Sequence, residues 1–506
     1  MRVSISRREF LSTAAAAAGG LSCGPDAPAE AVPPNVVLLM GDDHGWHETG
    51  YNGHPHVATP VLDEMAASGL RLDRFYSAAP VCSPTRGSVM TGRHPNRYGT
   101  FSANWSVRPE EIGIAEILSK AGYACGHFGK WHLGPVKADS PTNPGAFGFE
   151  EWLSHDNFFE MNPFLSRNGG PPERHEGESS KIVVDAARRF IDRAAESGRP
   201  FFVVVWFGSP HEPYSGLPED LEAYSDLPED LKESTGAITS METGLRTRVR
   251  LDKILQARYA EITAMDRAIG DLRDYLRDSE LRRNTLLWYC SDNGAPSEST
   301  FKSPLRASKG SVYEGGVRVP SVIEWPERIA QPASTGVNAV TSDILPTLCE
   351  LTAQPLPDRP LDGISLVPLL DGSMEARPSP ICFWRFEPDR DLETEPYIDP
   401  ELQKGTTPLV KYMDGRLTRH FRNFHFESPD PTDFAGPRAI LDSRYKLVLD
   451  GDRQDGPERE LFDMREDPAE SRDVAGDNPE THQQLERELV NWQESVLRSL
   501  TGADYS

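Results

Sequence analysis

Positive charge is scarce in this sequence. Its 506 residues carry 53 lysines and arginines against 78 aspartates and glutamates, a formal net charge of -25. Nucleic-acid binding needs a basic footprint, so that class of partner is excluded. An anionic ligand gains no long-range steering from such a chain, and its attraction must come from a local basic pocket. Cysteine is sparse as well, six in all. Apart from Cys23 and Cys82, the scattered Cys125, Cys290, Cys349 and Cys382 form neither a CxxC zinc pattern nor a dense disulfide framework, and no disulfide is required. Beyond the N-terminus no apolar run is long enough to span a bilayer. The histidines show no HExxH or similar spacing, which leaves His47, His54 and His56 as solvated or structural residues and His94 as a candidate for supporting a site from behind. The one near-repeat, Tyr-Ser-x-Leu-Pro-Glu-Asp-Leu from Tyr214 and again from Tyr224, has too short an offset for a solenoid. It reads as an acidic, duplicated surface loop bordering a pocket.

What is present suits a sizeable folded chain. Hydrophobic residues at 38% and charged residues at 26% are globular proportions, and the length exceeds what one core usually serves, so two packed domains of unequal size are expected. The N-terminus, Ser6-Arg7-Arg8-Glu9-Phe10-Leu11 followed by an Ala-rich run to Gly20, matches a twin-arginine export signal, with an apolar region too short for a membrane helix. Residues 1–33 therefore read as export signal and linker, and the expected location is periplasmic or otherwise extracytoplasmic. Cys23 is a candidate for lipid attachment, although Gly20 stands where such motifs usually have Leu. A main domain is expected over 34–375 and an α+β subdomain over 376–506.

Three short apolar runs predict strands buried on both faces, and each ends in polar residues. Asn35 to Met40 is followed by Gly41-Asp42-Asp43-His44-Gly45, Phe201 to Phe207 by Ser209-Pro210-His211, and Thr285 to Cys290 by Ser291-Asp292-Asn293-Gly294. Ligands in open α/β sheets bind beyond the carboxyl ends of the strands. Adjacent carboxylates there suit a hard divalent cation, and Asp292 with Asn293 extends the oxygen set; solvated Asp-rich and Asn-Gly turns are the alternatives. Lys130 and His132, two apart, fall on one side of an extended segment, a cation beside a potential proton carrier. Helices are expected at 60–66, 112–121 and 251–276, and a strand over 71–76. The C-terminal part predicts strands at 439–441, 445–449 and 460–463, a polar loop at 470–473, acidic clusters on solvated faces and a helix over 482–497.

The stretch Val81-Cys82-Ser83-Pro84-Thr85-Arg86-Gly87-Ser88-Val89-Met90-Thr91-Gly92-Arg93 sets a sulfur at a helix entrance near a cation, which favours a thiolate or another oxidisable state; a buried, inert cysteine is the alternative. The form Cys-x-Pro-x-Arg followed by Thr-Gly-Arg resembles the signature of the formylglycine-dependent sulfatases. Gly129-Lys130-Trp131-His132-Leu133-Gly134, His211, the segment Lys309 to Pro320 and the segment Asp362 to Leu370 are similar to further motifs of that family, in family order. The resemblance implies the alkaline phosphatase-like fold: α/β, a large mixed, mostly parallel sheet flanked by helices, with a smaller C-terminal antiparallel-sheet subdomain. It implies that a formylglycine-generating enzyme converts Cys82 to formylglycine, and export of the folded protein would allow this before translocation. It implies one divalent cation, Ca²⁺ favoured over Mg²⁺, held by Asp42, Asp43, Asp292, Asn293 and residue 82. Arg86 would orient the hydrated aldehyde, Lys130, Lys309 and His211 would neutralise charge on the sulfuryl group and leaving oxygen, and His132 would deprotonate the remaining hydroxyl. Arg318 is expected to be structural. The implied activity is hydrolysis of a sulfate ester, with a sulfated carbohydrate favoured and Trp105, Trp152 and Phe158 as candidates for stacking on sugar rings. Phosphonate or phosphate ester hydrolysis, and a catalytically silent exported glycan-binding protein, are the alternatives.

Overall fold

The run from Val36 to Met40 is apolar at every position, so as a strand it must be covered on both faces. A computed structural model describes residues 33–159, 161–387, 390, 394–410, 415–451 and 458–505; the twin-arginine pattern and Cys23 lie outside them. Asn35–Gly41 sits near the middle of a ten-stranded sheet. Five neighbouring strands run parallel across its centre, in the order Thr285–Ser291, Asn35–Gly41, Phe201–Trp206, Ala124–Lys130 and Glu151–His155. Beyond them Ser321–Glu324 and Phe164–Arg167 pair antiparallel on the two flanks, which makes the sheet mixed.

Period-two alternation then assigns each side chain to a face. Val36, Leu38 and Met40 join Phe202, Val204 and Trp206 on one side, under apolar residues of the helices Cys82–Thr91, Ile114–Lys120 and Ile344–Leu351. Val37 and Leu39 join Phe201, Val203 and Val205 on the other, under the helices Ser179–Glu196 and Leu251–Asp278. Each buried Val or Leu adds roughly 1.5–3 kcal/mol of apolar transfer, and both faces are needed to cover a strand of this composition.

Register carries the fold's contribution to the site. Asn35 pairs with Thr285 and Gly41 with Ser291, so the two strands stop together and release Asp42 beside Asp292. Met40 pairs with Trp206, and Trp206 with Gly129, which brings the loop to His211 and the end of the Lys130 strand to the same edge.

The smaller sheet orders Ile381–Trp384, Arg438–Leu441, Tyr445–Leu449 and Arg459–Asp463, all antiparallel. The last three correspond to the expected strands; Ile381–Trp384, with only four residues, gave no separate signal. Helix Pro479–Leu500 covers one face through Leu485 and Leu489. The other face packs Phe383, Leu441 and Phe462 against Tyr76, Val312 and Val317.

Four local expectations are corrected. The stretch 71–76 is two strands in different sheets, Leu70–Leu72 and Phe75–Tyr76, because the chain turns between them. The duplicated acidic segment forms the short helices Pro218–Ala223 and Glu229–Glu233, which pack on Leu251–Asp278 with Tyr214, Tyr224 and Leu231 buried. Glu470 is no solvated acid: its carboxylate is buried 2.8 Å from Lys446 Nζ, which also reaches Glu314 at 2.9 Å. Trp152, buried near the start of a core strand, is packed rather than presented for sugar stacking, while Trp105, its ring beneath Arg422, is largely buried but lines a cleft. The five described cysteines are free thiols.

Candidate active site

Each strand end delivers one piece of a buried cluster. Helix Cys82–Thr91 starts at Cys82, takes Pro84 in its first turn, where a missing N–H costs nothing, and closes on Gly92 at φ 70. Cys82 Sγ lies 3.5 Å from Asp42 Oδ1 and 3.8 Å from Asp43 Oδ1. Lys130 Nζ donates to Asp42 Oδ2 at 2.7 Å, and Lys309 Nζ meets Asp43 Oδ1 at 2.6 Å and Oδ2 at 2.7 Å. Asp42, Asp43, Cys82 and His211 offer ligand atoms within 4.8 Å of one another.

Asp292 and Asn293 stand directly behind this group. Asp292 Oδ1 accepts the Asp43 N–H at 3.0 Å, and its Oδ2 accepts from Arg86 Nη2 at 2.7 Å and Nε at 3.1 Å. Asn293 Nδ2 donates to Asp43 Oδ1 at 2.8 Å, while its buried Oδ1 has no partner among the described residues. Asp43 itself holds φ 65, a left-handed conformation that costs a non-glycine residue energy and persists where surrounding bonds over-determine it. Gly294 lets the next segment close in: a Cβ there would lie 2.0 Å from Gly315 O, so the chain carrying Lys309 rests directly on the Asp292 strand end.

Burial and charge compete throughout. Burial pushes the Asp43 carboxyl up, yet Lys309, His211 and Lys130 together hold it below the ordinary carboxylate range. Burial raises Asp292 to about 6, with Arg86 opposing and Asp42 adding. The expectation that cations favour a Cys82 thiolate is overturned: burial raises the thiol well above its usual value, and Lys130 and Lys309 do not offset it. Burial and the neighbouring cations hold His132 neutral, and burial takes His211 to about 3 despite Asp43.

The two histidines differ in placement. His211 stacks on Phe158 at 4.3 Å, donates Nδ1–H to Glu212 O at 2.6 Å and turns Nε2 toward Lys309 Nζ at 3.4 Å. The strand ends at Lys130 and His132 has φ 59, so the extended geometry that would set the two on one side does not hold. His132 Nε2 meets Asn104 Oδ1 at 3.1 Å and its buried Nδ1 has no partner among the described residues. Since Asn104 Oδ1 also accepts from Asn157, His132 donates through Nε2 and keeps Nδ1 as an open acceptor. His94 instead caps Asn96 N–H and packs edge-on against Trp492, and Arg318 binds Asp73 O; both are structural.

Sequence reasoning missed the group that ties these loops together. Arg258, fully buried in the long helix, forks onto Glu48 with two bonds of 2.6 Å and donates to Asp43 O and Pro210 O at 2.6 Å each. One guanidinium thus fixes the backbone of Asp43 and of the His211 loop. Asn104 looks like any loop amide in the sequence; the signal for Arg258 was its place four residues from Ile254 and from Ile262 on the buried stripe of an amphipathic helix.

Residues 34–354 match the family model described as Sulfatase. Human (Homo sapiens) arylsulfatase A is 32% identical over 398 residues, covering 71% of this chain and 72% of the human protein. An ulvan-active sulfatase of Formosa agariphila is 32% identical over 337 residues, covering 65% of this chain and 63% of that protein. Among solved structures, Ps i-CgsB in complex with k-i-k-neocarrahexaose superposes with a TM-score of 0.72 at 22% identity, covering 92% of this chain and 94% of that one, and so shares the fold. With the family model spanning most of the chain and a curated relative aligned along most of its length, this protein belongs to the sulfatase family and is a sulfuric ester hydrolase.

Proposed function

We propose that this enzyme hydrolyses a sulfate ester of a carbohydrate through a formylglycine made from Cys82. The observation that carries the reading is the meeting of Cys82 Sγ, the Asp42 and Asp43 carboxylates and the Lys130 and Lys309 ammonium groups at the carboxyl edge of one sheet. The donor set fits a hard cation: three buried carboxylates, an amide oxygen with no partner among the described residues, and residue 82. Asp42, Asp43, Asp292, Asn293 and residue 82 would hold it, with Ca²⁺ favoured over Mg²⁺. When bound, such an ion lowers the pKa of an attacking hydroxyl and polarises a sulfate oxygen. Three carboxylates already face three cations, Arg86, Lys130 and Lys309, so a divalent ion leaves the pocket positive for a sulfate ester.

The hydrated aldehyde at residue 82 supplies the attacking hydroxyl. Arg86, fixed on Asp292, orients it. Lys130, Lys309 and His211 neutralise charge on the sulfuryl group and on the leaving oxygen, which takes up the proton lost by the attacking hydroxyl as its bond to sulfur breaks. His132, with Nδ1 open, takes the proton of the second hydroxyl, which expels sulfate and restores the aldehyde. Residues 34–375 supply these groups, and 376–506 form a subdomain beside them. The sequence further supports maturation by a formylglycine-generating enzyme and twin-arginine export. Among the described residues no helix is long and apolar enough to cross a membrane. The test is sulfate release from sulfated oligosaccharides and from aryl sulfate, phosphate and phosphonate esters, using enzyme co-produced with a formylglycine-generating enzyme. Sulfated saccharides should be turned over with the highest kcat/KM, and Cys82→Ala should abolish it; a preference for phosphonate esters would overturn the reading.

A further inference from the structure

The side of the His132 ring that carries hydrogen is set by a backbone N–H two residues away through hydrogen bonds. Lys130 pairs with His155 at the ends of adjacent parallel strands, and Trp131 N–H donates to His155 O at 2.9 Å. The two chains therefore leave the sheet together, His132 on one and Asn157 on the other. Asn157 is buried, and the Phe158 N–H donates to its side-chain oxygen at 2.7 Å.

A backbone N–H can only donate, so it settles which end of the Asn157 amide is oxygen. The other end, Nδ2, must donate, and it lies 2.9 Å from the Asn104 side chain. Asn104 therefore offers its oxygen there. The same Oδ1 is 3.1 Å from His132 Nε2, which puts the ring hydrogen on Nε2 and the lone pair on Nδ1. Nδ1 is buried and has no partner among the described residues. Asn104 is held in place by its own backbone: its φ of 62 is one that asparagine tolerates better than most residues, and its N–H donates to Ser83 Oγ at 3.2 Å, next to residue 82.

We propose that Asn157, acting through Asn104, is a positioning residue that fixes His132 as the base of the sulfate-releasing step. The assignment rests on the base role proposed for His132. In that step Nδ1 takes the proton of the remaining hydroxyl, the freed electron pair forms the aldehyde C=O, and the C–O bond to sulfate breaks. A ring with hydrogen on Nδ1 has no lone pair there to begin it. Asn157→Asp keeps size and shape but removes the donor. The new carboxylate faces Asn104 Oδ1 as a second acceptor, so the Asn104 amide turns to donate from Nδ2, and His132 Nε2 becomes the acceptor. Whether the ring moves its hydrogen or gains a second one, Nδ1 is then protonated.

The test has two readouts. Nitrogen NMR of isotope-labelled histidine, in protein left unmodified at Cys82, reads the tautomer, with the His132 signals identified by their loss in His132→Ala. The wild type should carry hydrogen on Nε2 alone, Asn157→Asp should carry it on Nδ1, and Asn157→Leu, which has no donor and leaves Asn104 free to turn, should give a mixture. In the mature enzyme with an aryl sulfate, Asn157→Asp should release one equivalent of phenol per site and then slow. Its kcat should fall by about 10²-fold or more, and KM should fall with it, because the phenol leaves before the impaired step; Asn157→Leu should show the same pattern with a smaller drop. A wild-type ring with hydrogen on Nδ1, a tautomer unchanged in both variants, or kcat and kcat/KM falling together overturns the proposal while leaving the base role intact. If His132→Ala itself gives no burst of phenol, the base role fails and this assignment falls with it.

Discussion

Replacing Arg258 with Met tests how the site is held together. In the native protein Glu48 is buried, and although burial alone would raise it, Arg258 brings its carboxyl down to about 2. A carboxyl pKa lower in the folded than in the unfolded chain contributes stability that is fully present above the unfolded value near 4.5 and is lost as pH falls toward about 2. That contribution is ~3 kcal/mol. Removing Arg258 leaves a buried, unpaired carboxylate, at a cost of about 3–5 kcal/mol. Unfolding entropy scales at about 2 cal/mol/K per residue, so for a chain this long roughly 1 kcal/mol corresponds to one degree, and Tm at pH 7 should drop by about 3–5 °C. The sign of the pH effect then reverses. Without its partner, Glu48 has a raised carboxyl and takes up a proton on folding, so the deficit should shrink between pH 7 and pH 5. The double variant Arg258→Met/Glu48→Gln should recover part of the loss at pH 7. Because Arg258 also anchors Asp43 O and Pro210 O, kcat should fall ~10–100-fold even where the protein is fully folded. Calorimetry at two pH values and steady-state kinetics give both readouts. A Tm change under a degree, or a deficit independent of pH, would refute the reasoning.

Lys130→Ala removes the partner of Asp42, 2.7 Å away and fully buried; kcat/KM for a sulfate ester should drop by about 10²–10³, and full activity would exclude Lys130 from the site. Gly294→Ala forces a Cβ against Gly315 O; Tm should fall, and KM should rise as the Lys309 segment shifts, both read from thermal scans and kinetics on the same preparation. Dialysis against a chelator should abolish sulfate release, and Ca²⁺ or Mg²⁺ added back should restore it; activity that survives full metal depletion, verified by elemental analysis, would remove the cation from the account.

The site was legible to the extent that its chemistry sits at strand ends. Val36 to Met40 and Leu286 to Cys290 announce doubly buried strands, so the Asp42–Asp43 and Asp292–Asn293 pairs that follow them had a defined place, and parallel register brought them together. Lys130 was singled out by its spacing from His132, but its meeting with Asp42, like that of Lys309 with Asp43, was legible only through resemblance, since no spacing or periodicity links the pairs. Glu48 and Arg258 are 210 positions apart, and no local pattern encodes their meeting. The Cys82 thiol misled for a related reason. Sequence shows the nearby cations, whereas burial, which decides the outcome, is a property of the fold.

Mass spectrometry of the tryptic peptide Phe75 to Arg86, from protein made in its native host or with a formylglycine-generating enzyme, tests the central claim most directly. The account predicts an aldehyde or its hydrate at residue 82 in protein that releases sulfate. An intact thiol at Cys82 in fully active protein would contradict it.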